Sequence, residues 1–527
     1  MLACPGCGGQ MKFNIESQDL LCEYCGKHLD PYRYEEGKNA KEEKTFETTV
    51  FICPQCGGEI IADDTSAAEF CSFCGASTVL ESRISNERRP DYIIPFRMTK
   101  EQCKKAYSSY ARKNIFAPGK LKNPKYIDSF RGIYMPYWTY DIEQDGIIPI
   151  PAKVTYKKSH CLYVDYYEVS TPVKADYKGI SYDASSSFDD SISSFIAPYN
   201  SDGMKKFVPS ILSGFYADTL DVDSEVYLPY ARRLAYDISY KKIITDSVFD
   251  GLEIEENKIF PSRDFHLECK DAQISLFPVW FMSYRNKDRV AYAVVNGQTG
   301  KVSADMPVDL TKYILGSLIL MIPIFLLLEA FLTATPVFMI SAASVMAIAM
   351  QFIYSKELSD IALKKTKALD RGYMTVEKKK HEEKSDSSDE GSSKMSKVHI
   401  TPLFMAVLIV GVIIAIIIHS VFLKKQMPLL QAALTIVSGF AAGKCSEERK
   451  NLNESKGFPV FLLSFIAVLT GLIIRLIDPA SDMFYYGTAV LIFLTVVMNA
   501  IGLIGRHNVL TTRKLPQFNR HGGDDNA

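Results

Sequence analysis

The residues of this 527-residue chain best suited to chemistry are eight cysteines near the N-terminus, set in four pairs: Cys4 and Cys7, Cys22 and Cys25, Cys53 and Cys56, Cys71 and Cys74. Two residues separate the members of each pair, and fourteen separate the two pairs of each half. Adding 49 to the first four cysteine numbers gives the last four, so the motif C-x2-C-x14-C-x2-C is an internal repeat. A two-residue gap lets one tight turn aim both thiolates at a single ion, and two such turns close a tetrahedron of sulfurs. Gly8-Gly9, Gly26, Gly57-Gly58 and Gly75 follow the pairs, and glycine tolerates the positive φ and the close approach such turns need. The spacing predicts two β zinc ribbons holding two structural Zn2+ ions, with these eight cysteines as ligands. Four sulfurs leave no coordination position for water, so the predicted ions are structural and not catalytic.

Around these cysteines the chain divides in two. Residues 1–311 have ordinary globular composition, and from Tyr313 onward come long apolar runs. Cys4 follows Met1 almost directly, with no basic and then apolar leader between them. The expectation is therefore reduced thiolates in a cytosolic N-terminal region, not disulfides. The plan read from the sequence is ribbon 1 over 1–30, a charged linker over 31–49 and ribbon 2 over 50–80. A second linker over 81–90 leads to a soluble α+β domain over 91–311. Within that domain Thr99 and Gln102 form a capping box that opens a helix. Cys103, Ala106, Tyr107, Tyr110 and Ala111 make that helix's apolar face. Strands are expected after Ile127, over Val164–Val173 and Gly179–Tyr182, and through 268–302. A helix is expected over Asp223–Ile238.

Six runs are long and apolar enough to be spans, at about 313–332, 336–354, 402–422, 427–443, 458–476 and 484–504. They imply an all-α six-helix membrane domain, with spans 1 and 2 over 312–354 and spans 3 to 6 over 399–506. The intervening loop 355–398 holds eleven Lys or Arg and a Ser/Asp-rich tract at Ser385–Glu390 that reads as disordered. The loop after span 4 and the tail 507–527 are also basic, which places both termini in the cytosol. Gly439 and Gly443 form a G-x-x-x-G pair that permits close helix contact. Glu329, Arg475, Asp478 and Asp482 cluster at one expected interface, where snorkelling accounts for them.

No catalytic constellation accompanies these elements. Gly297-Gln-Thr-Gly300-Lys301 lacks the glycine spacing and the Ser or Thr of a phosphate-binding loop, and reads as a hairpin turn. The histidines, among them His28 and His266, show no ligand spacing. Residues 1–90 carry nine Lys or Arg against fifteen Asp or Glu, a net of −6. Each Zn2+ with four thiolates adds about −2. Nucleic-acid binding depends on neutralising phosphates with basic side chains, so an acidic ribbon pair is better suited to a protein partner.

The knuckles Cys-Pro-x-Cys-Gly-Gly, then Ile94-Pro95-Phe96, Gly132-Ile-Tyr-Met-Pro-Tyr-Trp-Thr-Tyr-Asp141, and Pro278-Val-Trp280 leading to Val295–Val302 form an ordered set over roughly residues 1–307. In that set the chain resembles a family of bacterial zinc-ribbon membrane proteins labelled transcription-factor-IIB-type, or, by over-extension, primosomal helicase proteins. The resemblance implies a cytosolic domain attached to the bacterial inner membrane. It also implies partners similar to flotillin-like (SPFH) and phage-shock-type envelope-stress proteins. The function expected is a non-enzymatic adaptor or scaffold that docks protein partners at the lipid bilayer. The alternatives are a nucleic-acid-associated zinc-ribbon protein and a transporter or channel with a cytosolic regulatory domain.

Overall fold

A computed structural model describes residues 2–36, 45–62, 71–76, 81–158, 161–188, 190–254, 266–331, 335–367, 427–451 and 459–516. The chain is multidomain in character: two four-cysteine clusters, a sheet-rich region and a set of C-terminal helices. The first ribbon contributes β1 (Met11–Asn14), β2 (Asp19–Cys22), β3 (His28–Leu29) and the short α1 (Pro31–Glu36). The second contributes β4 (Thr45–Ile52), β5 (Glu59–Ile61) and β6 (Glu81–Arg88). Then come β7 (Tyr92–Ile93), α2 (Lys100–Lys113) and α3 (Pro124–Ile127). β8 (Arg131–Lys158) and β9 (Cys161–Asp183) follow, with α4 (Asp190–Ile196), β10 (Lys205–Lys206), β11 (Tyr216–Asp218) and α5 (Leu228–Ile244) after them. The soluble part ends with β12 (Glu253–Ile254), β13 (Leu267–Cys269), β14 (Gln273–Asn286), β15 (Arg289–Asn296) and β16 (Val302–Ala304).

Several of these depart from the sequence expectation. Residues 81–90, expected as a linker, hold β6, which pairs with β4 along all eight of its residues. β4 itself begins at Thr45, inside the expected first linker. β6 ends the strand order of the large sheet, and an edge strand need not show an apolar face, so its polar sequence resembles a linker. The two short strands expected between Val164 and Tyr182 are one continuous strand, β9, paired with β8 in a long hairpin. The expected helix over 223–238 starts later, at Leu228, after a 3-10 turn over Ser224–Val226. The capping box is present: Gln102 N donates to Thr99 Oγ1 (3.3 Å) and Thr99 N donates to Gln102 Oε1 (3.0 Å).

The centre of the soluble region is the antiparallel set β8–β14–β15, buried on both faces. Alternation at period two sends successive side chains to opposite sides. Tyr134, Leu276, Trp280, Met282 and Val295 face one core, with Met11, Phe13 and Leu20 of the first ribbon and Cys103, Tyr107 and Ala111 of α2. Ile133, Met135, Phe277, Val279, Phe281 and Val294 face the other, with Cys53, Cys56, Cys71, Phe73 and Cys74 of the second ribbon and Ile192 and Ile196 of α4. The two ribbons therefore cover opposite faces of one sheet. The first keeps its own three-stranded sheet, whereas β5 of the second pairs with β11 and so joins the large one.

Beyond it lie α6 (Leu310–Phe331), α7 (Pro336–Lys367), α8 (Met427–Asn451), α9 (Val460–Ile477), α10 (Asp482–Thr511) and the two-residue β17 (Arg513–Lys514). Among the described residues three helices are long and apolar enough to cross a membrane: Pro336–Ile361 within α7, α9, and α10. The expected span at 402–422, the Ser/Asp tract at Ser385–Glu390 and the Glu329 side chain lie outside the described residues. α7, α8 and α10 run in one direction and α9 in the other. Ser344 of α7 meets Gln431 of α8 (2.9 Å), and Ser438 of α8 donates to Gln351 of α7 (3.0 Å). Asn499 of α10 donates to Ser464 of α9 (2.6 Å). Of the two glycines in the G-x-x-x-G pair, only Gly439 makes a close approach, to the Phe465 ring of α9; a Cβ on Gly443 would meet nothing within 4 Å.

The bundle is fastened to the sheet. β17 pairs with β15, and Arg289 donates to Thr512 Oγ1 (2.6 Å) and to the carbonyls of Thr512 (2.7 Å) and Val509 (3.0 Å). Asn508 accepts from the Val308 amide (2.6 Å) and donates to its carbonyl (2.9 Å).

Candidate metal centres

All four cysteine pairs fold into the same turn. The amide of the first cysteine donates to the carbonyl five residues on: Cys4 to Gly9 (2.7 Å), Cys22 to Lys27 (3.0 Å), Cys53 to Gly58 (3.0 Å) and Cys71 to Ala76 (2.9 Å). The glycine four residues on donates back to that cysteine's carbonyl. Those glycines, Gly8, Gly26, Gly57 and Gly75, have φ of 71°, 69°, 72° and 70°. This left-handed conformation is strained for any residue with a Cβ, which is why glycine recurs one place after every second cysteine.

The turns bring the sulfurs together in two sets, Cys4, Cys7, Cys22 and Cys25, and Cys53, Cys56, Cys71 and Cys74, with all ligand atoms of a set within 4.8 Å of one another. In the first set Cys4 lies 3.6 Å from Cys25 and Cys7 lies 3.5 Å from Cys22. In the second, Cys53 lies 3.8 Å from Cys74 and Cys56 lies 3.7 Å from Cys71. Four sulfurs each about 2.3 Å from one tetrahedral ion stand about 3.8 Å apart, so both sets fit a structural metal ion of that size. The turns also favour thiolates. The amides of Gly6 and Cys7 pull Cys4 down to about 6, and the Cys25 amide lowers Cys22. Cys7 receives the Gly9 amide, which lowers it, but its neighbours Cys25 and Cys22 push it up to about 12. In the second set Cys56, Cys71 and Cys74 lower Cys53, and Cys53 in turn raises Cys56. Sulfurs competing for protons at this range are what a divalent cation relieves.

The two centres differ in their surroundings. In the first, Cys4 and Cys22 are buried while Cys7 and Cys25 are exposed, and the Tyr24 ring between the knuckles is 81% exposed. In the second, no cysteine exceeds 3% exposure. Tyr292 Oη of β15 donates to the Phe73 carbonyl (2.9 Å), and Arg285 Nη1 of β14 donates to Gln55 Oε1 (2.9 Å). The first ribbon is held by its opposite end. The Phe13 amide donates to Ser213 O (3.0 Å), Ser213 Oγ to Met11 O (2.8 Å), and Gln18 Nε2 to Phe96 O (2.7 Å). None of these docking residues carries a sequence signal, because their partners are 78 or more positions away.

The remaining candidates stand apart from the clusters. His28 bonds Asp19 through Nδ1 (2.8 Å). Cys103 and Cys445 are buried singly, Cys161 is exposed and Cys269 half-buried. Asn296–Gly300 is a tight turn closed by Gly300 N to Asn296 O (2.9 Å), and Asn296 Oδ1 accepts the Gln298 and Thr299 amides (2.8 and 2.9 Å).

No family model and no solved structure matches the chain. A curated protein does: the uncharacterized protein YdjG of Bacillus subtilis (strain 168), 31% identical over 317 residues, a match spanning 59% of this chain and 90% of YdjG.

Proposed function

The chain belongs to the family of the Bacillus subtilis protein YdjG, and we propose that it is a membrane-anchored adaptor carrying two structural Zn2+ ions. In this reading the first ribbon is the face that docks protein partners. The observation that carries it is the contrast in exposure: Cys7, Tyr24 and Cys25 are presented to solvent, while the other cluster is enclosed by the sheet it stabilises. An exposed tyrosine on a metal-rigidified turn is a low-entropy anchor of the kind that dominates protein interfaces. The acidic net charge of residues 1–90 directs that face to proteins and away from nucleic acid. Zinc is favoured over other metals because a tetrahedral all-thiolate set suits it.

The anchor is a six-span bundle of the bacterial inner membrane with both termini cytosolic. Leu358 and Ile361 near the end of α7 pack with Leu510 near the end of α10. Cys445 of α8 packs with Phe461 at the start of α9. These ends lie together, on the side where β17 joins the soluble sheet. α8 begins at the opposite end, where Gln431 meets Ser344 of α7. The buried polar groups of the bundle, Gln351, Gln431, Ser438, Ser464 and Asn499, bond one another or backbone across helices. That pattern adheres helices to one another and supports an anchor over a conduit.

The partners implied by the zinc-ribbon resemblance are flotillin-like (SPFH) or phage-shock-type proteins. The test is co-purification from membranes with wild type and with Tyr24→Asp, both carrying two metal ions per chain. The expected result is loss of specific partners from the variant alone. An unchanged set of partners would sink the docking role of the first ribbon.

A further inference from the structure

The chain is nearly neutral overall, but its charge is not spread evenly. Residues 97–131 hold ten Lys or Arg and two acidic residues, Glu101 and Asp128, a net of +8 in a protein of net −1. They build α2, the 3-10 turn Gly119–Lys122 and α3. Between these elements lies a cleft of about 430 Å³, rimmed by Lys104, Ser108, Arg112 and Lys122 and floored by Ala111 and Ile127. Asp128 is engaged by Lys104 at 2.8 Å, which leaves Arg112 and Lys122 unmatched by any acid lining the cleft. Burial, and then the Lys104 ammonium, hold Lys100 below the usual lysine range.

The position of this cleft supplies the second observation. The loop joining α2 to the 3-10 turn lies against the first turns of α6. Lys312 Nζ donates to Ala117 O (2.9 Å), Asp309 N to Phe116 O (2.8 Å), and the Phe116 ring meets Tyr313 with centroids 5.2 Å apart. Ile115, on the same loop, is 72% exposed. With α6 entering the bilayer as read above, this loop sits at the headgroup level, an apolar side chain at its tip and cations behind it. Basic clusters just cytoplasmic of a span attract anionic lipid.

We propose that the cleft between α2 and the Gly119–Lys122 turn binds the phosphodiester headgroup of an anionic phospholipid, with Arg112 and Lys122 as its principal cations and Ile115 in the acyl boundary. The acidic ribbons, repelled by the same lipid surface, are then turned toward the cytosol. The site rests on the membrane reading of α6. Its test uses the full-length protein in detergent and counts phosphatidylglycerol and phosphatidylcholine retained in native mass spectrometry. Wild type should retain phosphatidylglycerol selectively, and R112Q/K122Q should weaken that retention by about 30-fold, given the worth of two surface cations. K157Q/K158Q removes the same charge at the far end of the β8–β9 hairpin and should change nothing. Metal content of two per chain checks that each variant is folded. Equal weakening by both double variants would overturn a site in favour of diffuse charge. Displacement by millimolar inorganic phosphate would overturn the lipid in favour of a soluble phosphate ligand. A chain stripped from membranes by alkaline carbonate would overturn the anchor itself, whereas a chain that stays but shows no lipid preference overturns this site alone.

Discussion

The two ribbons are built from one motif and fold into the same four turns, yet one ends inside the protein and the other on its surface. The difference is which end of each ribbon the central sheet holds. Ribbon 2 presents its cysteine knuckles to β14 and β15 and lends β5 to the sheet edge. Ribbon 1 offers the hairpin end, Met11 to Gln18, and leaves half its knuckles in solvent. Equal coordination chemistry therefore serves a core in one case and a surface in the other. Burial, and not the set of ligand atoms, is what separates the two centres.

The largest difference between the two centres is expected when a cysteine of each is removed. Cys71→Ser should abolish folding of the soluble region, because a structural zinc contributes roughly 10–16 kcal/mol, about the whole stability of a domain. Cys25→Ser should release one metal and leave a cooperative, folded sheet. Thermal unfolding and metal analysis of the two variants separate them, and equal losses would refute the division of roles. A chelator at neutral pH should take up one equivalent of metal quickly, from ribbon 1, and the second only at the rate of global unfolding. A single kinetic phase would refute that ordering.

Smaller differences are expected at the turn glycines and at Tyr292. Gly26→Ala meets open space and should cost only the left-handed strain, about 1–2 kcal/mol. Gly75→Ala carries that strain and also sets a Cβ at 3.3 Å from Arg285 Cβ and Ser283 Oγ, so its midpoint in denaturant should fall further. Tyr292→Phe deletes one buried hydrogen bond to Phe73 O and should cost about 1–2 kcal/mol. Equilibrium unfolding would measure all three.

Local chemistry was legible in the sequence, and long-range partnership was not. The eight ligands and the turn glycines follow from spacing, because everything a knuckle needs lies within six residues. The capping box at Thr99 and the Asn296–Gly300 turn were legible for the same reason. Which ribbon is enclosed was not, since both copies carry the same motif and the deciding contacts come from Phe281, Arg285 and Tyr292, some 200 positions later. The start of β8 was legible after Ile127, but its run on to Lys158 was not, since Pro149 and Pro151 interrupt the pattern. Pro149 and Pro151 face Ser170 and Glu168 across the hairpin, and β13 and β12 pair only with the flanking stretches of β8's other edge. Prolines there remove no ladder bond among the described residues.

The placement of both ribbons on one sheet also sets an order of events during synthesis. The four knuckles leave the ribosome well before their common platform, which is completed by β14 and β15, about 200 residues behind Cys74 and, at 5–20 residues per second, some 10–40 s later. Through that interval the second knuckle pair has no partner for the apolar surface around Phe73. β15 ends at Asn296 and α6 begins at Leu310, so the platform closes just before the first apolar helix emerges. Capture of the ribbons and emergence of the apolar helices are thereby placed next to each other in time, and delay in the first leaves both the sheet face and α6 exposed together.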